Sequence, residues 1–249
     1  MSVLSEVLET LTNPQAADEA VAAAVQTFSD KASTYSASSI GDYLWDAFNE
    51  IFAVVGRTPP ERQTRLVQFL GQLKDRTVVD TQGQPLSYEG GVVWRDLPSF
   101  GWIARDLWNF DALDASATPV EQSTWVNWTA FLAQLTGRGT CDYSLYALWS
   151  LRTAFEETHP DGANTVLAVK LAALWMLHAG EKLWEMSAKG ITLDARLGVS
   201  TDKYADRGWR GFNEERWKVW KGGFKAALES TVVTDSTVQD ALKVMEEQQ

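Results

Sequence analysis

Residues 163–186 read ANTVLAVKLAALWMLHAGEKLWEM. From Val166 through Ala179 only Lys170 and His178 are polar, and a helix that is apolar nearly all round is normally surrounded by other elements. The stretch predicts a central helix. At about 100° per residue, Lys170, Leu174, His178, Glu181 and Glu185 fall within an arc of roughly 80°, so the few polar groups share one narrow stripe. That stripe faces either water or a pocket.

Helical periodicity extends in both directions from this segment. Asn13 and Pro14 introduce an alanine-rich run through Phe28, predicting a first helix that ends near Tyr35. Ser38 or Ser39 caps a second, with Leu44, Trp45, Phe48, Ile51, Phe52 and Val55 as its apolar face and Gly56 as its stop. Thr58 and the two prolines after it restart the chain into a third, carrying Leu66, Phe69, Leu70 and Leu73. Residues 75–91, DRTVVDTQGQPLSYEGG, lack helical period and read as an irregular loop or small hairpin.

Further helices are predicted from Pro98 to Asn109, from Thr118 and Pro119 to Gly137, and from Tyr143 to Glu157. The turn His159, Pro160, Asp161, Gly162 leads into the central helix, and residues 190–211 are loop-like. Asn213 caps a helix in which Trp217, Trp220, Phe224 and Leu228 share an arc of about 80°, with Phe212 placed to staple onto Trp217. Gly222 and Gly223 imply a close backbone approach or a bend in that helix. A helix from Ser236 to Glu247 follows. With no repeat, linker or boundary visible, the reading is one all-α domain over residues 1–249, a bundle of about nine helices, with residues 1–38 able to sit at its periphery as an N-terminal helix.

Composition removes several functions. The net charge is −11, with 33 acidic against 22 basic residues, and nucleic-acid binding relies on clustered cations; no nucleic-acid partner is expected. The single cysteine, Cys141, forms no intramolecular disulfide and suits a reducing, cytoplasmic setting. No basic and apolar signal peptide opens the chain. The longest apolar run, Val166 to Ala179, is interrupted by charge and is shorter than the roughly 20 residues of a spanning helix. A soluble protein without a membrane span is expected, and a homo-oligomer is compatible with the sequence. Two histidines cannot furnish a multi-His metal site, and P-loop, dinucleotide and Gly-x-Ser-x-Gly motifs are absent, so the expectation is no metal and no cofactor.

The 12 tryptophans are several times the usual content, and indoles are costly to leave exposed. Between residues 94 and 109 charged and amide groups alternate with aromatic rings, so Asp96, Arg105, Asp106 and Asn109 are expected to share a hydrogen-bonded network. The network either locks the segment to the bundle or forms a pocket wall. Asn127, between Trp125 and Trp128, needs a partner or a ligand. His178 is either a satisfied structural histidine or a general base tuned by Glu181.

The succession Trp94-Arg-Asp-Leu-Pro-x-Phe-Gly, Arg105-Asp-x-Trp-Asn and Trp125-Val-Asn-Trp-x-Ala-Phe-x-Ala-x-Leu resembles a fungal family of small helical proteins of unknown function. The stretches Ala172-Ala-x-Trp-x-x-x-Ala-Gly and Gly211-Phe-Asn-x-Glu-Arg-Trp-x-x-Trp-Lys-x-x-Phe resemble the same family. The resemblance implies an origin in filamentous fungi, sometimes beside secondary-metabolite biosynthetic genes, and it supplies no catalytic residue. Thr129 stands where that pattern is expected to have asparagine, which weighs against a role needing both amides.

These observations lead to an expected cofactor-free enzyme that folds a hydrophobic fungal metabolite in an aromatic pocket, as a cyclase, pericyclase or isomerase. Asp96, Arg105, Asn127 and His178 are its candidate catalytic groups, and Trp94, Phe100, Trp108, Trp125, Trp128 and Trp175 its candidate substrate-binding rings. The rival expectation is a non-catalytic helical scaffold or a small-molecule carrier.

Overall fold

The computed structural model describes residues 2–17, 19–80, 82–158, 162–230 and 236–248. The expected turn at His159, Pro160 and Asp161 lies outside them. Among the described residues the protein is all-α, with eleven α-helices, two short 3-10 helices and one two-stranded hairpin. The chain forms two compact units, Met1–Ala112 with Thr118–Trp128, and Leu113–Ala117 with Thr129–Gln249.

The N-terminal unit holds α1 (Val3–Leu11), α2 (Glu19–Ala32), α3 (Ile40–Gly56), α4 (Thr64–Lys74), the hairpin β1 (Ser87–Tyr88) and β2 (Gly91–Val92), α5 (Phe100–Trp108) and the first half of α6 (Pro119–Gly137). Helix α1 was not expected. Its turns bury Leu8 and Leu11 and its cap is Ser2, whose hydroxyl accepts from the Ser5 amide. Asn13 caps a turn instead of a helix, accepting from the Gln15 amide, and the alanine-rich helix begins only at Glu19. The period-free stretch is a hairpin as far as its strands go, Ser87 pairing with Val92 and Tyr88 with Gly91. Helix α6 opens on a capping box: the Thr118 amide donates to Glu121 Oε2 at 2.8 Å and the Glu121 amide donates to Thr118 Oγ1 at 3.3 Å.

In the C-terminal unit α8 (Gly162–Ala188) is the central helix, packed against α7 (Ser144–Phe155), α10 (Glu214–Glu229) and α11 (Ser236–Glu247). Its apolar run explains this: Ala168, Val169 and every residue from Leu171 to Met176 are buried. Along the polar stripe burial falls away, from half-buried Lys170 and buried Leu174, through half-buried His178, to exposed Glu181 and Glu185. The loop before α10 carries one more short helix, α9 (Ala195–Gly198), so α1 and α9 account for the two helices beyond the nine expected.

Asn213 caps α10 as its type predicts, its side chain accepting from the Arg216 amide at 2.8 Å. Phe212 instead meets Trp220, ring centroids 6.2 Å apart. At the paired glycines a side chain, not a backbone, makes the close approach. A Cβ on Gly223 would lie 2.3 Å from Cδ1 of Phe155, whereas nothing stands near Gly222. Ala in place of Gly gains about 1 kcal/mol inside a helix, but overpacking costs about 1–3 kcal/mol. Gly222→Ala is therefore expected to raise the unfolding midpoint in urea and Gly223→Ala to lower it; equal shifts from the two variants would contradict the contact.

Candidate functional site

The candidate side chains divide between the units. Trp94, Asp96, Phe100, Arg105, Trp108, Trp125, Asn127 and Trp128 belong to the N-terminal unit, Trp175 and His178 to the C-terminal one.

Most of the rings fill the interior. Trp94 is fully buried, with Phe28, Tyr43 and Phe48 at 6.3, 6.1 and 6.0 Å. Its φ is +68° and those of Leu97 and Ser99 are +46° and +71°, conformations that bulky residues rarely adopt. The Asp96 carboxylate helps hold this bend, accepting from the Val92 amide at 2.8 Å, and burial of the indole offsets the strain. Phe100 stacks on Phe52 at 4.9 Å. Trp108 packs on Trp125 at 4.7 Å, and Trp125 lies 6.2 Å from Trp128, whose Nε1 donates to the Phe52 carbonyl at 2.8 Å. Trp175 is fully buried and donates to Ser150 Oγ at 3.1 Å.

The expected network of Asp96, Arg105, Asp106 and Asn109 is corrected by the structure, because all four residues are exposed. Helix α5 turns Phe100, Ile103 and Ala104 inward, which at helical spacing sends positions 105, 106 and 109 to water. Asp96 pairs with its chain neighbour Arg95, at 3.0 and 2.7 Å. That guanidinium, with the Val92 amide, pulls the carboxyl down to about 2. Asn127 does find the partner its burial demands. Its Nδ2 donates to the Gly56 carbonyl at 2.8 Å, and buried Gln63 Nε2 donates to both the Thr58 and Asn127 carbonyls at 2.8 Å. Asn127 thus ties α6 to the end of α3, a structural use of the amide.

Two open grooves are formed instead by residues of which sequence reasoning chose only His178. The first, of about 700 Å³, lies among α1, α2 and α3. Tyr35 and Tyr43 form one wall, stacked at 5.0 Å with 15° between their planes, and Lys31 Nζ sits 5.8 Å from the Tyr35 ring centre. Tyr43 is held by a 2.9 Å bond from its hydroxyl to the Phe28 carbonyl. Burial, and then the neighbouring Tyr35, push that phenol well above its ordinary value. Val3, Leu4 and Ala53 add apolar surface, and Asp46, Asn49 and Glu50 add polar atoms. A signal for this face existed: Tyr43, Asp46, Asn49, Glu50 and Ala53 fall within about 120° of one another on a helical wheel.

The second groove, of about 640 Å³, lies where the end of α6 meets α8 and α11. A Cβ on Gly137 would collide with the His178 carbonyl, so glycine permits the close crossing that forms the groove's edge. His178 contributes to its wall, and its Nε2 is buried without a hydrogen-bond partner. Burial, and then the Arg138 charge, push the imidazole down to about 4; near neutral pH it is uncharged. Tryptophan lines neither of these two grooves. Among the described residues no three His, Cys, Asp or Glu side chains are grouped to hold a metal ion, and no helix is long and apolar enough to cross a membrane.

The scaffold and its grooves define a helical protein with open clefts of small-molecule size. The chain belongs to the family described as protein of unknown function DUF3632, whose model matches residues 48–224. That span contains all five sequence blocks quoted above. No curated protein and no solved structure matches the chain.

Proposed function

We propose that the protein is a non-catalytic carrier of a hydrophobic small molecule, held in the groove among α1, α2 and α3. The observation that carries this reading is the stacked Tyr35–Tyr43 wall beside about 700 Å³ of space, within the range of small-molecule sites. The half-buried Tyr35 ring, backed by buried Tyr43, offers flat apolar area, and the polar groups of α3 at the rim orient a guest. The carrier is favoured over the enzyme reading because two of the four expected catalytic groups, Asp96 and Arg105, are exposed and a third, Asn127, donates to the Gly56 carbonyl. A reducing cytoplasmic setting is part of the proposal, supported by the lone Cys141.

Ala53 is exposed and borders the groove, so Ala53→Trp fills the space without touching the core. The neutral dye Nile red is expected to bind the wild type saturably, and Ala53→Trp and Tyr35→Ala each to weaken it about tenfold or more. Dye binding that ignores both substitutions would overturn the site. If a hydrophobic metabolite from the producing cell binds here and is recovered chemically altered, the carrier reading fails in favour of a cyclase, pericyclase or isomerase.

A further inference from the structure

The second groove carries charges of its own, and their pairing state separates them. Lys182 Nζ lies 3.2 Å from Asp142, and Glu185 lies 3.3 Å from Lys189. Arg138 and Glu181 line the same groove, both are exposed, and neither has an ion pair or side-chain hydrogen bond among the described residues. They are of opposite sign, Arg138 in the turn that follows α6 and Glu181 on α8, with His178 on the wall they share. Arg138 is near enough to act on the His178 charge, and Glu181 follows His178 by one helical turn. Leu177, Ala179 and Val244 add an aliphatic strip; Gly180 lets Val244 close in on α8, and Gly139 leaves open space beside Arg138.

A cleft that sets one free cation and one free anion beside an aliphatic strip matches a small zwitterion with an aliphatic tail. We infer that the α6–α8–α11 groove binds a free aliphatic α-amino acid, Arg138 taking its carboxylate, Glu181 its ammonium group, and the strip around Val244 its side chain. A guanidinium pairs a carboxylate through two parallel N–H donors, and an ammonium group supplies three donors to a carboxylate acceptor. Neutral His178 lies against the ligand without contributing a competing charge. The site is distinct from the tyrosine groove, and neither proposal needs the other.

The imidazole supplies the readout. The chain has two histidines, so the His178 ring signal is identified in a proton–carbon NMR spectrum by its loss in His178→Gln. L-leucine, L-isoleucine and L-valine are titrated to millimolar concentration against the whole protein, beside isocaproate and isopentylamine, which are leucine without its amine and without its carboxylate. At least one amino acid is expected to shift the His178 signal saturably, with each half-molecule binding about tenfold more weakly than leucine. Arg138→Ala should cancel the advantage of leucine over isopentylamine, and Glu181→Gln its advantage over isocaproate; both positions are exposed, so the fold is not at stake. If no amino acid moves the signal, or if isocaproate binds as tightly as leucine, the inference is overturned.

Discussion

Replacing Arg216 by alanine is expected to lower the unfolding free energy of the protein by about 3–5 kcal/mol, the cost of stripping one partner from a buried ion pair. Arg216 and Glu156 are both fully buried. The guanidinium donates to the carboxylate from Nε at 2.6 Å and from Nη2 at 2.9 Å. It also donates from Nη1 to the Gly198 and Gly211 carbonyls at 2.8 and 2.9 Å, and from Nη2 to the Val199 carbonyl at 3.2 Å. Trp209 and Trp220 flank it at 5.6 Å each, and Trp220 Nε1 completes the carboxylate at 2.8 Å.

One side chain therefore pins both ends of the segment between α9 and α10 to the end of α7. Alanine would leave a buried carboxylate facing orphaned carbonyls. The double variant Glu156→Leu with Arg216→Met removes both charges and should recover part of the loss, less than all of it because Trp220 and three carbonyls still lose partners. Urea unfolding followed by tryptophan fluorescence measures all three. A cost below about 1 kcal/mol for Arg216→Ala would place the pair among screened surface bridges instead.

This knot shows what a single sequence hides. Helix α8 was legible because its apolar residues are consecutive, and consecutive apolar residues have few ways to be buried. The Asn213 cap was legible because capping is local, settled within three residues. Arg216 and Glu156 are 60 positions apart, and in sequence each looks like an ordinary charged residue on a helix. The network expected of Asp96, Arg105, Asp106 and Asn109 was misread for a related reason. Alternating charges and rings between residues 94 and 109 suggested buried polar groups, but the helical period of α5 sorts them, rings toward the interior and charges toward water, apart from half-exposed Trp102. The tryptophan count suggested an aromatic-lined pocket; whether buried rings enclose space depends on how rings from distant helices interdigitate. Tyr35 and Tyr43 were passed over because only their stacking, across the break between α2 and α3, makes them a wall.

The stability of the protein is expected to fall on mild acidification, with His178 as an identifiable contributor. An unperturbed histidine titrates near 6.5, whereas burial, and secondarily Arg138, push His178 down to about 4 in the folded protein. The unfolded chain therefore takes up this proton more readily than the folded one. The contribution of neutral His178 is fully present above about pH 6.5, declines as pH drops toward 4, and is exhausted below that. A displacement of this size corresponds to at most about 3 kcal/mol, less what partial exposure of the ring returns to solvent. Carboxylates titrate in the same window, so the group must be isolated by difference. His178→Gln keeps a polar side chain without the proton, and its unfolding free energy should lose less than that of the wild type between pH 7 and pH 4.5. Arg138→Ala should raise the His178 value by removing the second cause, which the ring NMR signal reports directly. Parallel stability curves for wild type and His178→Gln would mean that the imidazole meets the proton equally well in both states, and that its unpartnered Nε2 is solvated after all.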